Sequence, residues 1–287
     1  MDSGGRVTRL RIRHETTFRY EDQVLASYNE VRMRPMMADR QFVLTEQILV
    51  TPLTSQHSFL DYWGTRVSSL EILSPHNQLH VVAESLVELF PPTPAGDSVS
   101  WDQLRDTHTH SMSLTELLGI TPLTEPPGEV RKKATAIAKK ASTPEEAARE
   151  ISSWITSSMT YQFGVTQVHS TAADAWKEKK GVCQDITHLV LGALRTVGIP
   201  ARYVSGYLHP NGDAGLGDTV VGESHAWVEW FTGSFTGHDP TNDQDIGDRH
   251  VIVGRGRDYT DVPPIRGIYD GPPASEHGVQ VHLTLER

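Results

Sequence analysis

The chain has 287 residues, 37% of them apolar, and its 26 basic against 36 acidic side chains leave a formal charge of −10. That length can bury roughly 75% of the unfolded surface, and the acidic balance gives nucleic acid or an anionic membrane no electrostatic reason to bind. No apolar run approaches the ~20 residues a bilayer-spanning helix needs, the N-terminus Met1-Asp2-Ser3-Gly4-Gly5-Arg6 lacks the apolar core of a signal peptide, and a single cysteine, Cys183, excludes an internal disulfide and points to a reducing cytoplasm.

The first ninety residues read as strands. Leu10, Ile12, His14, Thr16, Phe18 and Tyr20 alternate with Arg9, Arg11, Arg13, Glu15, Thr17 and Arg19, the period-two pattern of a half-buried strand. Further β-like runs at 30–33, 43–50, 66–73 and 79–87 are separated by turn formers such as Thr51-Pro52 and Trp63-Gly64, which predicts a β-sandwich-like domain over 1–90. Pro91-Pro92-Thr93-Pro94-Ala95-Gly96 is a natural break, and 91–127 is read as linker and connecting segment. Helices follow. One has Val130, Ala134, Ile137 and Ala138 on a face. A second starts at Thr143-Pro144-Glu145-Glu146, an N-cap with proline at N1 and a capping-box glutamate. A short third helix spans Ala172 to Glu178. All seven lysines lie between Lys132 and Lys180, and read as the solvated faces of this region.

A fourth helix opens at Cys183. Ile186, Leu189, Val190, Ala193, Leu194 and Val197 give its apolar stripe, Gly198 suits the C′ position and Pro200 blocks continuation. Extended runs at 202–208 and 225–231 can pack on that helix. Thr232 to Gly237 reads as a loop, Asp239 as the start of a further extended segment, and Val279, Val281, Leu283 and Leu285 as a closing strand. The segment 128–287 is therefore expected to form an α+β domain, a helix on an antiparallel sheet.

A thiol at a helix N-terminus meets free backbone N–H groups and the positive end of the macrodipole, both of which favour thiolate. His225 and Asp239 follow it in chain order. Together they supply what acyl transfer requires: a nucleophile, a proton carrier and a carboxylate that fixes the imidazole tautomer. The Cys183 N–H and one further donor could meet the oxyanion. Gln184 and Asp185 are close enough to be considered, with Asp185 equally suited to bonding helix-terminal N–H groups.

These residues lie in motifs that resemble the bacterial transglutaminase-like, or papain-like thiol, superfamily. The motifs are Gly181-Val182-Cys183-Gln184-Asp185, Gly198-Ile199-Pro200-Ala201-Arg202-Tyr203-Val204-Ser205-Gly206-Tyr207, Ser224-His225-Ala226-Trp227 and Asp239-Pro240-Thr241-Asn242. Arg13 to Tyr20 and Asp61-Tyr62-Trp63-Gly64 are similar to the β-rich domain preceding the core in one bacterial branch. The resemblance implies a transglutaminase-like core and a Cys183–His225–Asp239 triad acting on an amide through a thioester, with no cofactor. Hydrolysis of a peptide, protein or small amide is the expected reaction. Transfer to an amine, or a fold kept only for binding, are the alternatives. Two departures stand beside the triad: His238 precedes Asp239 where the family usually has an aromatic, and Phe235 replaces a common tryptophan.

Gln184, Asp185, Tyr207, Ser224 and Trp227 are the candidates for lining the substrate site, although Tyr207 and Trp227 suit core aromatic packing better. His188, on the cysteine helix, suits a satisfied structural histidine better than the pocket. No metal site is expected: His108-Thr109-His110 has no supporting ligand framework, and Asp243-Gln244-Asp245 is too short for a calcium loop.

Overall fold

The computed structural model describes residues 7–38, 40–91, 98–210, 215–222 and 224–287. Six strands come first: β1 (Thr8–Val24), β2 (Ala26–Val31), β3 (Gln41–Thr51), β4 (Ser55–Leu60), β5 (Arg66–Ile72) and β6 (His76–Leu89). Then follow α1 (Trp101–Thr109), α2 (Met112–Glu116), α3 (Gly128–Ala138), α4 (Pro144–Ser158), β7 (Thr160–Tyr161), α5 (Ala172–Glu178), β8 (Lys180–Gly181) and α6 (Cys183–Thr196). The chain closes with β9 (Ala201–Leu208), β10 (Thr219–Gly222), β11 (Ser224–Phe231), β12 (Phe235–Asp239), β13 (Gln244–Asp245), β14 (His250–Gly256), β15 (Ile265–Asp270) and β16 (Ala274–Leu285). Helices and antiparallel sheets segregate, an α+β architecture.

The alternation in β1 sorts as the sequence predicts. Leu10, Ile12, His14 and Thr16 are buried, while Arg9, Arg11 and Arg13 pair across strands with Glu88, Glu286 and Glu84. Exposed pairs of this kind are worth ~0–1 kcal/mol each, so burial of the other face fixes the strand. One sheet runs β10-β16-β1-β6-β3 and packs on a second, β15-β2-β5-β4, around Val24, Val31, Leu70, Ile72, Leu79 and Val81.

The N-terminal sheets also take in strands from the end of the chain. β16 pairs with β1, β10 joins β16, and β15 pairs with β2. The last strands thus complete the N-terminal sheets rather than the sheet that packs on α6. Alternation predicts that 279–285 is a strand but carries no information on its partner. The expected linker also departs from prediction. Its proline-rich part lies, from residue 92, outside the described residues, and 101–116 folds as α1 and α2, with Ser100 and Gln103 forming a capping box.

The third sheet, β13-β12-β11-β9-β14, carries the candidate site. Against it lies α6, whose Ile186, Leu189, Val190, Ala193 and Leu194 join Tyr203, Ala226, Val228 and Trp230 in one core. Each such aliphatic side chain contributes roughly 1.5–3 kcal/mol on burial. α3, α4 and α5 contact its other sides, so α6 is buried all round from Gln184 to Arg195 rather than along one stripe. Gly198, at φ +83°, ends it as predicted.

Candidate active site

The site assembles where the first turn of α6 meets β11 and β12. β7 and β8 run parallel just before Cys183, with Tyr161 opposite Gly181. They deliver the cysteine to the helix start half-exposed, where the first N–H groups have no intrahelical acceptor. Val228 pairs with His238 across β11 and β12, so Asp239 falls beside Trp227, two residues along from His225. Asp239 ends β12 instead of opening a segment. A three-residue turn, Thr232-Gly233-Ser234, starts the strand earlier than predicted, and Pro240 cannot extend the ladder because it lacks an amide donor.

His225 Nε2 lies 2.8 Å from Asp239 Oδ2, and the Cys183 side chain lies close enough to act on the same ring. With Nε2 committed to the carboxylate, Nδ1 is left for the sulfur. Burial alone would lower this imidazole, but the bonds and charges of Asp239 and Cys183 push it up to about 10, so His225 is an imidazolium at neutral pH. Asp239 is fully buried. Its Oδ1 accepts from the Thr241 N–H at 3.0 Å and the Asn242 N–H at 3.3 Å, and its Oδ2 from Asn242 Nδ2 at 2.7 Å. Burial alone would raise the carboxyl, but the bonds from His225, His250 and Asn242 hold it well below the usual carboxylate range.

His250, which sequence reasoning missed, completes this shell. Its Nε2 lies 3.3 Å from Asp239 Oδ2 and its Nδ1 accepts from the Gly247 N–H at 3.3 Å. The only signal in the sequence is a β-like run, His250-Val251-Ile252-Val253, with nothing to mark the histidine.

The ligand atoms of His225, Asp239 and His250 lie within 4.8 Å of one another, the one such group among the described residues. Both imidazoles and the Asn242 amide aim at a single carboxylate oxygen, however. This convergence describes a hydrogen-bonded carboxylate.

The other candidates divide. Ser224 is exposed at the mouth of the site. Gln184 and Asp185 are buried. Gln184 Nε2 donates to the Val168 carbonyl, while Asp185 Oδ2 accepts from Val182 N–H and Thr166 Oγ1. They therefore clamp the 160–170 segment beside Cys183, and burial raises the Asp185 carboxyl. Tyr207 and Trp227 are both buried, which fits core packing better than a place in the substrate site. The Tyr207 hydroxyl accepts from His14 Nδ1 at 2.9 Å and donates to the Met33 carbonyl at 3.2 Å, bolting the N-terminal sheets to the catalytic sheet. Trp227 stacks edge-on against His250, with ring centroids 5.4 Å apart. It lies so close over Gly206 that a Cβ there would come within 2.6 Å of its ring.

His188 is structural. It is fully buried, accepts from the Tyr259 N–H, and is lowered to about 4 by burial. His238 turns toward Trp230 and the acidic turn, 3.4 Å from Asp245. Phe235 supports the Arg202 guanidinium at 3.7 Å. His110 Nδ1 bonds the Asp106 carbonyl at the end of α1, and Asp245 pairs with Arg149.

Comparison with known proteins places this geometry in a family. The transglutaminase-like superfamily profile matches residues 131–240, and that of the bacterial transglutaminase-like N-terminal region matches residues 10–88. The chain belongs to the transglutaminase-like superfamily, in the branch that carries this N-terminal region. It is 40% identical over 276 residues to an uncharacterized protein of Mycobacterium leprae, covering 96% of this chain and 98% of that one. It is 33% identical over 278 residues to an uncharacterized protein of Mycobacterium tuberculosis, covering 91% and 87%. A Cytophaga hutchinsonii crystal structure provisionally assigned as a cysteine protease shares the fold, with TM-score 0.76 at 18% identity over 98% of this chain and 99% of that one. Among the described residues, no helix is long and apolar enough to cross a membrane.

Proposed function

We propose that the protein is a cysteine-dependent acyl-transfer enzyme that hydrolyses a peptide-like or small amide through a thioester on Cys183. The observation that carries this reading is one imidazole bonded to a buried carboxylate and placed beside the lone cysteine. In the reaction, Cys183 Sγ attacks the amide carbonyl carbon as the thiolate, and the backbone N–H of Cys183 supports the oxyanion. His225 gives its Nδ1 proton to the departing nitrogen as the C–N bond breaks. Water then loses a proton to the neutral His225, attacks the thioester, and the acid leaves as the sulfur is released. Asp239 keeps the imidazole oriented through both halves and stabilises it whenever it carries the extra proton. Because Cys183 is half-exposed, water can reach the thioester, which favours hydrolysis over transfer to an amine.

The test is amine release from short peptides and glutamine peptides. Release should be abolished in Cys183→Ala; undiminished release in that variant would sink the proposal. Adding a labelled amine separates the outcomes at the thioester, since incorporation into the glutamine peptide would identify a transglutaminase instead.

A further inference from the structure

Asp239 Oδ2 receives three side-chain donors, of which the triad account uses only His225. The Asn242 amide comes from the same turn and restrains the carboxylate locally. His250 comes from a different strand, β14, which pairs with β9 rather than with β12. A backbone N–H can only donate, so the Gly247 N–H requires His250 Nδ1 to be unprotonated. In the neutral ring the proton then sits on Nε2, the nitrogen facing Asp239.

We propose that His250 is a positioning residue, a tautomer-locked neutral imidazole that pins Asp239 Oδ2 and thereby sets both the orientation and the proton affinity of His225. The groups facing His250 are Asp239 on β12, His225 on β11 and the neighbouring Arg249, with the Trp227 ring against its face. Burial, acting with the charges of His225 and Arg249, outweighs Asp239 and holds the His250 imidazole below its ordinary value, consistent with a neutral donor. A carboxylate oxygen shared among three donors is a weaker acceptor for any one of them. Removing His250 therefore strengthens the bond from His225, makes its imidazolium harder to deprotonate, and frees the carboxylate to rotate.

The inference rests on the triad reading, and two measurements keep the two separable. The first is nitrogen-15 histidine NMR of the intact wild-type protein. His250 should show the Nε2–H tautomer from pH 6 to pH 9. A doubly protonated His250 at pH 7, or the Nδ1–H tautomer, overturns the proposal whatever the enzyme does. The second is the pH profile of Cys183 alkylation by iodoacetate, an anion whose rate falls as His225 loses its positive charge. In His250→Phe, which keeps the ring but not the donor, the alkaline limb should move up by about one pH unit and the maximal rate should fall about tenfold. His250→Gln, which can return an N–H to the same place, should restore both. An unchanged His250→Phe profile would refute the role. Equal impairment in His250→Gln would refute it too, because it would indicate packing alone. A wild-type profile with no alkaline limb at all would count against the triad itself, leaving the NMR result to decide on His250.

Discussion

Asp239→Asn is the substitution whose consequence can be worked furthest from the geometry. The side chain keeps its shape, but the charge that holds His225 protonated is gone. His225 rises from an ordinary value near 6.5 to about 10 with its side chain 12% exposed, which corresponds to roughly 4–5 kcal/mol of native-state stabilisation when fully expressed. Cys183 supplies part of that rise, so the carboxylate's share is about 2–3 kcal/mol, counted once because the depression of Asp239 is the same bond seen from its other end. The sign follows from the direction of each shift. A raised imidazole stabilises fully below pH 6.5 and loses its effect as the pH climbs through 10. A depressed carboxylate stabilises above about pH 4 and loses its effect on acidification. Urea unfolding of wild type and variant at half-unit intervals from pH 5 to pH 10 should therefore give a stability gap widest near pH 5–6. The gap should narrow by about 2–3 kcal/mol toward pH 10, over a constant offset from donors left facing the new amide. A gap that stays flat, or widens with rising pH, would refute the reasoning.

Three further outcomes are expected. Tyr207→Phe removes the hydroxyl shared by His14 Nδ1 and the Met33 carbonyl and should cost about 1–3 kcal/mol in denaturant unfolding with little change in Cys183 alkylation, whereas a large fall in reactivity at unchanged stability would return Tyr207 to the substrate site. Gly206→Ala places a Cβ 2.0 Å from the Val251 carbonyl oxygen and 2.6 Å from the Trp227 ring, so a loss of at least about 1–3 kcal/mol is expected, visible as a lowered Tm. Glu229→Gln leaves Arg202 and Arg255, both bonded to that buried carboxylate, without their counter-charge. A loss of about 3–5 kcal/mol follows, and a variant as stable as wild type would contradict it.

The candidate site was legible where it is local. Cys183, His225 and Asp239 sit in short motifs whose neighbours declare a helix start, a strand and a turn. The prediction that they meet needed only the antiparallel pairing of β11 with β12. What escaped depends on contacts that periodicity cannot encode. His250 reaches Asp239 only because β14 pairs with β9. The closing strand reads as a strand from its alternation, yet its place beside β1 joins residues as far apart as Arg11 and Glu286, 275 positions. Tyr207 and Trp227 could be cleft or core aromatics in their motifs, since sequence records residue type but not which face a twisted sheet buries; in space both are buried. The cap at Ser100 was readable, but it followed a proline-rich stretch that suggested a linker.

The most direct test of the central claim is the rate at which iodoacetamide alkylates Cys183 across pH 5–9, in wild type and in His225→Ala. A coupled Cys183–His225 pair predicts alkylation that stays fast at pH 6 in the wild type and collapses there in the variant. Equal rates in the two proteins, or a wild-type cysteine no more reactive than a free thiol at every pH, would contradict it.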